Sequence, residues 1–461
     1  MKQLVSKVLT HANNPQVLSL AGNLTVSAMS IISVSLLFRA LPVVEQGMWI
    51  LFISTIGLAD SFRAGFLTTA LVRATSGATP ARVAEVTGSA WFIAVALTGV
   101  MCLLNLGSWL WVHYMASDAG VSQEVVLLLR WFSIVLIATL PYFMATCLLQ
   151  AELRFDRILY VRLLSQGSFV VGIIALKLLG LASLANVVYC YVAASVMTSV
   201  LVLLFGWARL GSWGQRTRSC TSELTNFGKY SVGSYVGTYM LRSSDSFLIN
   251  FMLGPAPLAV YNLAGRFLEI IDIPLRSFMA TAIPALSAAF NQGKLPEVTR
   301  LLRKNAGMLT WAFLPVIVGM ILLADIPVYL IGGAKYQHTE AANLLRISLV
   351  IALIFPIDRF IGVTLDVVNQ PRLNLVKVFL MLAVNVVGDV IALSIFHSIY
   401  AVVIASLPTA IAGFIFGYIQ LRRFLPFSIR SILATGFIEL KLFLLMAATK
   451  LNLWRPSHEA Q

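Results

Sequence analysis

Apolar runs of about twenty residues or more recur along this chain, each long enough to cross a hydrocarbon layer roughly 30 Å thick as a helix. They centre on residues 17–41, 46–72, 86–112, 125–151, 160–182 and 184–207. After a polar gap they resume at 230–253, 257–288, 305–324, 342–368, 373–396 and 398–421. A hydrophobic content of 59% with only 11% charged residues excludes a soluble globular domain, in which roughly 25% would be charged. No barrel-like alternation is present, so helices must satisfy the backbone inside the bilayer. The expected fold class is an all-α polytopic membrane protein with about twelve transmembrane helices. Residues 427–449 form a further apolar stretch interrupted by Arg430, Glu439 and Lys441. The cost of charge in hydrocarbon favours an amphipathic surface helix there over a thirteenth span.

A formal charge of +14 would point to nucleic acid in a soluble protein, but here it marks loops and no nucleic-acid partner is expected. Arg73, Arg82, Arg154, Arg157, Arg372 and Arg422 are among the many cations on one side, against Arg39, Lys177 and Lys335 on the other. The positive-inside rule then puts the N-terminus in the cytoplasm, with residues 17–41 read as a retained first helix. The basic loops at 209–218 and 294–304 fit contact with anionic membrane lipids. The longest outer loops are 113–124 and 325–340, too short for the folded outer segment that a membrane polysaccharide polymerase or ligase generally carries. The four cysteines show no disulfide or metal spacing, and the five histidines are scattered. There is no phosphate-binding loop and no nucleophile motif, so neither an enzyme nor a cofactor is expected.

The two sets of six runs repeat one another. Leu41-Pro42 with Gly47-Met48 matches Gly254-Pro255 with Val260-Tyr261; Leu128-Leu129-Arg130 returns as Leu344-Leu345-Arg346; Pro141 and Arg157 return as Pro356 and Arg372. These anchors keep a nearly constant offset, the signature of an internal repeat. Because six spans return the chain to its starting side, the repeats are parallel, an arrangement that in transporters places a substrate path between the halves. The expected division is a first six-helix bundle over 1–210, a cytoplasmic linker over 211–229, a second bundle over 230–423, and a C-terminal helix and tail over 424–461. Pro141 and Pro356 are either matched kinks or ordinary transmembrane prolines.

The segment from Ser35 to Pro42, continuing through Gly47-Met48-Trp49, Gly57-Leu58-Ala59-Asp60 and Thr69 to Arg73, resembles the opening of bacterial polysaccharide-transport proteins, the O-antigen type of lipid-linked oligosaccharide flippase. Leu253-Gly254-Pro255 and Val260-Tyr261 resemble that family's second-half turn, although Leu41 stands where Gly254 stands in the repeat. The resemblance extends over about residues 15–423. It implies the fold of the multidrug, oligosaccharidyl-lipid and polysaccharide exporter group (MATE-like), acting on a polyprenyl-diphosphate-linked oligosaccharide. Such a protein would work beside a polysaccharide polymerase and chain-length machinery. A multidrug or cation antiporter of the same fold is the alternative.

Ionisable groups within spans are costly and mark function or pairing. In the seventh run Tyr235, Tyr239, Arg242 and Ser246 share one face, joining aromatic surfaces for sugars to a guanidinium for a diphosphate. The competing reading is helix packing through Gly233 and Gly237, with Arg242 neutralised by Asp245. Arg63, Arg276 and Arg359 are further mid-span cations, and Asn23 and Arg39 on the first run are candidates to line the route. Asp60, Asp245, Glu269 and Asp272 are the candidate ion-coupling carboxylates. Several lie three or four residues from an arginine, so a ladder of intrahelical pairs is equally compatible with them.

Overall fold

The computed structural model describes residues 15–75, 78–115 and 122–453. The expected cytoplasmic N-terminus and the tip of the 113–124 loop lie outside the described residues. Among those described there is no strand, and the helices are α1 (Pro15–Ala40), α2 (Val43–Thr75), α3 (Pro80–Met115), α4 (Gln123–Ala151), α5 (Phe155–Leu178), α6 (Leu184–Leu204), α7 (Arg218–Leu253) and α8 (Pro255–Asn291). They continue as α9 (Leu295–Leu322), α10 (Asp325–Gly332), α11 (Ala341–Ala352), α12 (Phe355–Val367), α13 (Pro371–Phe396), α14 (Ile399–Arg422) and α15 (Ile429–Leu453). Nine of the described helices are long and apolar enough to cross a membrane. With α1, the polar α7 and the α11–α12 pair, this makes about twelve spans.

Two compact units separate by their contacts: Met1–Asn262 with Leu330–Lys335, and Leu263–Tyr329 with Tyr336–Gln461. In the first, Trp49 of α2 stacks on Phe169 of α5 with ring centroids 5.6 Å apart and meets Tyr191 of α6 edge-on. Helix ends are closed locally: Ser183 accepts from Asn186 N at 3.3 Å, and Thr217 accepts from Cys220 N at 3.3 Å. Between α7 and α8 a single residue reverses the chain. Gly254 adopts φ +93°, a conformation that only glycine takes without strain, and Pro255 opens the next helix.

Three segments depart from the sequence-based expectation. The seventh helix begins at Arg218 rather than near 230, because Thr217 caps it and Cys220 and Leu224 are buried within the first unit's core. The span expected over 342–368 is interrupted at Leu353–Ile354, just before Pro356, whereas Pro141 lies inside the continuous α4. The paired prolines thus have different effects: one sits at a helix start, where its missing N–H is no loss. The outer segment 325–340, expected as a loop, contains α10 and a 3-10 turn over Ala334–Tyr336. Arg39 on α1 donates to the Leu330 carbonyl at 2.7 Å, and Ser35 to the Ile331 carbonyl at 3.3 Å. Lys335 in turn donates to the Leu41 carbonyl just past α1. Each helix end is capped by a cation carried on the other segment.

In the second unit, α15 packs against α9 where Gly307 meets Gly436. Glu439, whose charge argued against a span, is paired with Lys304 at 2.8 Å, and Trp311 Nε1 donates to the Leu433 carbonyl at 2.9 Å. At 25 residues α15 is long enough to cross a bilayer. A Cβ on Gly307 would collide with the Ile432 carbonyl, a backbone atom that cannot rotate away. Gly307→Val is therefore expected to destabilise the protein by about 2 kcal/mol through overpacking. Thermal unfolding in detergent checks this, and an unchanged midpoint would show that the crossing does not hold α15.

Candidate substrate site

α2 and α7 lie side by side and antiparallel in the first unit. Gly57 faces Tyr239, Gly65 faces Val232, and Phe66 faces Gly228. The close approach depends on absent side chains: a Cβ on Gly65 would lie 2.7 Å from Val232 Cα, and one on Gly57 would strike the Tyr239 ring. Gly233, one of the glycines expected to make this contact, has open space around its Cβ direction. Close approaches of the seam fall at Gly57 and Gly65 of α2 and Gly228 of α7, and Gly237 is buried.

Beside this seam lies an open cavity of about 490 Å³. α2 contributes Gly57, Asp60, Ser61 and Ala64, α4 contributes Phe143, and α7 contributes Ser234, Tyr235, Thr238, Tyr239 and Arg242. Both long helices line it at the i, i+3, i+4, i+7 spacing of a single face. Tyr239 is fixed by donating to the Ser54 carbonyl at 2.8 Å, and the Tyr235 hydroxyl lies 3.5 Å from Thr69 Oγ1.

The two charges on this surface differ in their surroundings. Asp60 is bound to Arg63, whose guanidinium is completely buried and also donates to the Leu136 carbonyl and Thr139 Oγ1, both at 3.1 Å. The Phe143 ring lies under the same guanidinium, 5.2 Å from its carbon. Arg63 therefore neutralises Asp60 from behind and ties α2 to α4. Arg242 is exposed, and among the described residues it makes no ion pair. Asp245, expected as its neutralising partner, accepts from Tyr261 of α8 and from Ser244 Oγ at 3.4 Å. The cavity thus presents one uncompensated positive charge among aromatic faces and hydroxyls.

Other residues singled out in the sequence lie elsewhere. Arg39 is engaged with Leu330, and the Asn23 side chain lies outside the described residues. In the second unit Glu269 pairs with Arg266 at 3.0 Å and Asp272 with Arg276 at 2.7 Å, the ladder anticipated as the alternative. Arg359 is exposed, while its neighbour Asp358 pairs at 2.5 Å with the buried Lys377. No group of three His, Cys, Asp or Glu that could hold a metal ion occurs among the described residues. Sequence reasoning missed Ser61, Ala64, Phe143, Ser234 and Thr238; the spacing of Gly57, Asp60, Ser61 and Ala64 was the available signal.

A family model described as "Polysaccharide biosynthesis protein" matches residues 36–343, which include every residue lining this cavity. The chain belongs to this polysaccharide biosynthesis protein family. A curated relative, the probable low-salt glycan biosynthesis flippase Agl15 of Haloferax volcanii, is 22% identical over 269 residues. That alignment covers 58% of this chain and 56% of the relative, so the match spans just over half the relative's length. Among solved structures, the lipid II flippase MurJ in an inward closed conformation has a TM-score of 0.70 at 14% identity, covering 94% of this chain and 93% of MurJ. An inward-facing multidrug resistance MATE family transporter of the MOP superfamily has a TM-score of 0.66 at 15% identity, covering 88% and 98% of the two chains. At these identities the likeness establishes the fold: this member of the polysaccharide biosynthesis family has the architecture of those transporters.

Proposed function

We propose that this protein moves a polyprenyl-diphosphate-linked oligosaccharide from the cytoplasmic to the outer leaflet of a bacterial inner membrane by alternating access. It does so in O-antigen, capsule or exopolysaccharide synthesis, as a transporter and not an enzyme. The observation that carries this reading is Arg242: an arginine that makes no ion pair among the described residues, on a cavity wall one turn beyond Tyr239 on α7 and facing the same cavity as Asp60. A guanidinium left unpaired inside a spanning segment calls for an anionic ligand, and its planar fork matches phosphate oxygens. Tyrosine rings offer flat apolar faces to sugars, and the cavity's hydroxyls suit a ligand rich in its own.

A six-plus-six division of the spans with the second set opening on α7, the cytoplasmic N-terminus, and cooperation with a polymerase and chain-length machinery belong to the same reading. Family membership and the glycan flippase relative support it, and the MATE-like fold keeps a drug or cation antiporter as the second reading. Deleting the gene separates the two. Accumulation of the lipid-linked intermediate in the inner leaflet, with loss of surface glycan, is the expected result. Unchanged glycan display together with sensitivity to cationic drugs would favour the antiporter.

A further inference from the structure

Asp60 stood among the candidate ion-coupling carboxylates, a task that requires a charge able to come and go. Its surroundings argue otherwise. The counter-ion, Arg63, is completely buried and held on three further sides by the Leu136 carbonyl, Thr139 and the Phe143 ring, so it cannot swing out to solvent. Neutralising Asp60 would strand that guanidinium in a dry interior, the costly half of breaking a buried pair. Asp60 thereby keeps a fixed cation beside it. One oxygen receives Arg63, while the carboxylate remains about one-third exposed toward the cavity. A fixed, partly open carboxylate is a strong acceptor for hydroxyl groups.

Its position relative to Arg242 gives the site a direction. Because α2 and α7 are antiparallel with Gly57 level with Tyr239, Arg242 lies three residues to one side of that level and Asp60 three residues to the other. At a rise of 1.5 Å per residue, their α-carbons are separated by about 9 Å along the helices. The aromatic ring of Tyr239 occupies the interval, and Tyr235 lies just beyond the Asp60 end, its hydroxyl 3.5 Å from Thr69 Oγ1. A phosphorylated hexose fits such a span, with its anionic end at Arg242 and its hydroxyl-bearing ring over Tyr239 toward Asp60.

Resting on the flippase reading and deepening it, we infer that Asp60 is a specificity-determining residue that accepts hydroxyls of the phosphate-proximal sugar, with Arg63 as the positioning residue that holds one of its oxygens and aims the other at the cavity. A site built on such an acceptor discriminates against ligands that lack the matching hydroxyl, because the carboxylate is then left without its donor.

The test measures dissociation constants of the full-length protein in lipid nanodiscs. The probes are farnesyl diphosphate and its N-acetylglucosaminyl, glucosyl and galactosyl derivatives, linked through the diphosphate. The wild type is expected to bind at least one glycosylated probe about tenfold more tightly than farnesyl diphosphate, a gain of one charge-assisted hydrogen bond. Asp60→Asn should abolish that gain while leaving farnesyl diphosphate bound as well as before or better, since a negative charge has gone. Asp60→Glu keeps a partner for Arg63, and so folding, but shifts the acceptor; it should reduce the gain as well. Arg242→Ala should weaken all the probes, the sugar-free one included, by about tenfold or more. A wild type that holds no glycosylated probe more tightly, or Asp60 variants that keep the full gain, overturns the sugar-reading role. Farnesyl diphosphate binding that Arg242→Ala leaves unaltered overturns the flippase reading itself.

Discussion

Arg242→Ala is expected to cut transport of lipid-linked oligosaccharide by about tenfold to a hundredfold, with normal amounts of protein in the membrane. The range follows from losing a hydrogen-bonded charge pair of roughly 1.5–3 kcal/mol. Among the described residues none forms an ion pair with Arg242, so its removal takes away a ligand contact without breaking a pair; folding should be nearly unaffected because the side chain is exposed. Arg242→Lys preserves the charge but not the two-pronged donor, and should fall between alanine and wild type. Uptake of a labelled short-chain lipid-linked oligosaccharide into proteoliposomes gives the ranking directly. Wild-type rates in both variants would remove Arg242 from substrate recognition.

Arg63→Ala should have the opposite profile, a loss of stability ahead of any loss of binding. It deletes a buried guanidinium that joins Asp60, Leu136, Thr139 and Phe143, so α2 loses polar ties to α4 and a carboxylate loses its counter-charge. Breaking a buried pair from one side costs about 3–5 kcal/mol. The lower end applies because the Asp60 carboxylate keeps some access to the cavity. Removing both charges in Asp60→Ala/Arg63→Ala should restore part of the loss, a positive coupling measurable by a double-mutant cycle in denaturant. Equal stability of Arg63→Ala and wild type would contradict the ion pair's structural role.

Much of the architecture is legible in the sequence because hydrocarbon imposes it. A backbone in lipid has few solutions, and run length, helix content and the Gly254–Pro255 turn follow from that constraint. The face of Tyr235, Tyr239 and Arg242 was legible as well, since 3.6-residue periodicity groups side chains without knowledge of neighbours. What covers that face was not. Phe143 comes from a distant helix, and the seam of Gly57, Gly65 and Gly228 depends on which small residues find a backbone opposite them. Gly233 and Gly228 look alike in a sequence and differ only in packing. The Asp60–Arg63 spacing announced a pair, but not that one partner would be buried and the other turned toward a cavity. Asp325–Gly332 is only 8 residues long, so its helix carries no length signal, and its end is satisfied by Arg39 and Ser35 from α1.

That attachment of α10 to α1 carries a mechanical corollary. Arg39 and Lys335 each serve the terminus of the other's segment, so lifting Leu330–Lys335 away would strip two helix ends of their electrostatic stoppers in the same motion. Losses tied together in this way do not accumulate gradually under strain. The junction resists small displacements with both bonds and, once past its limit, parts as a unit.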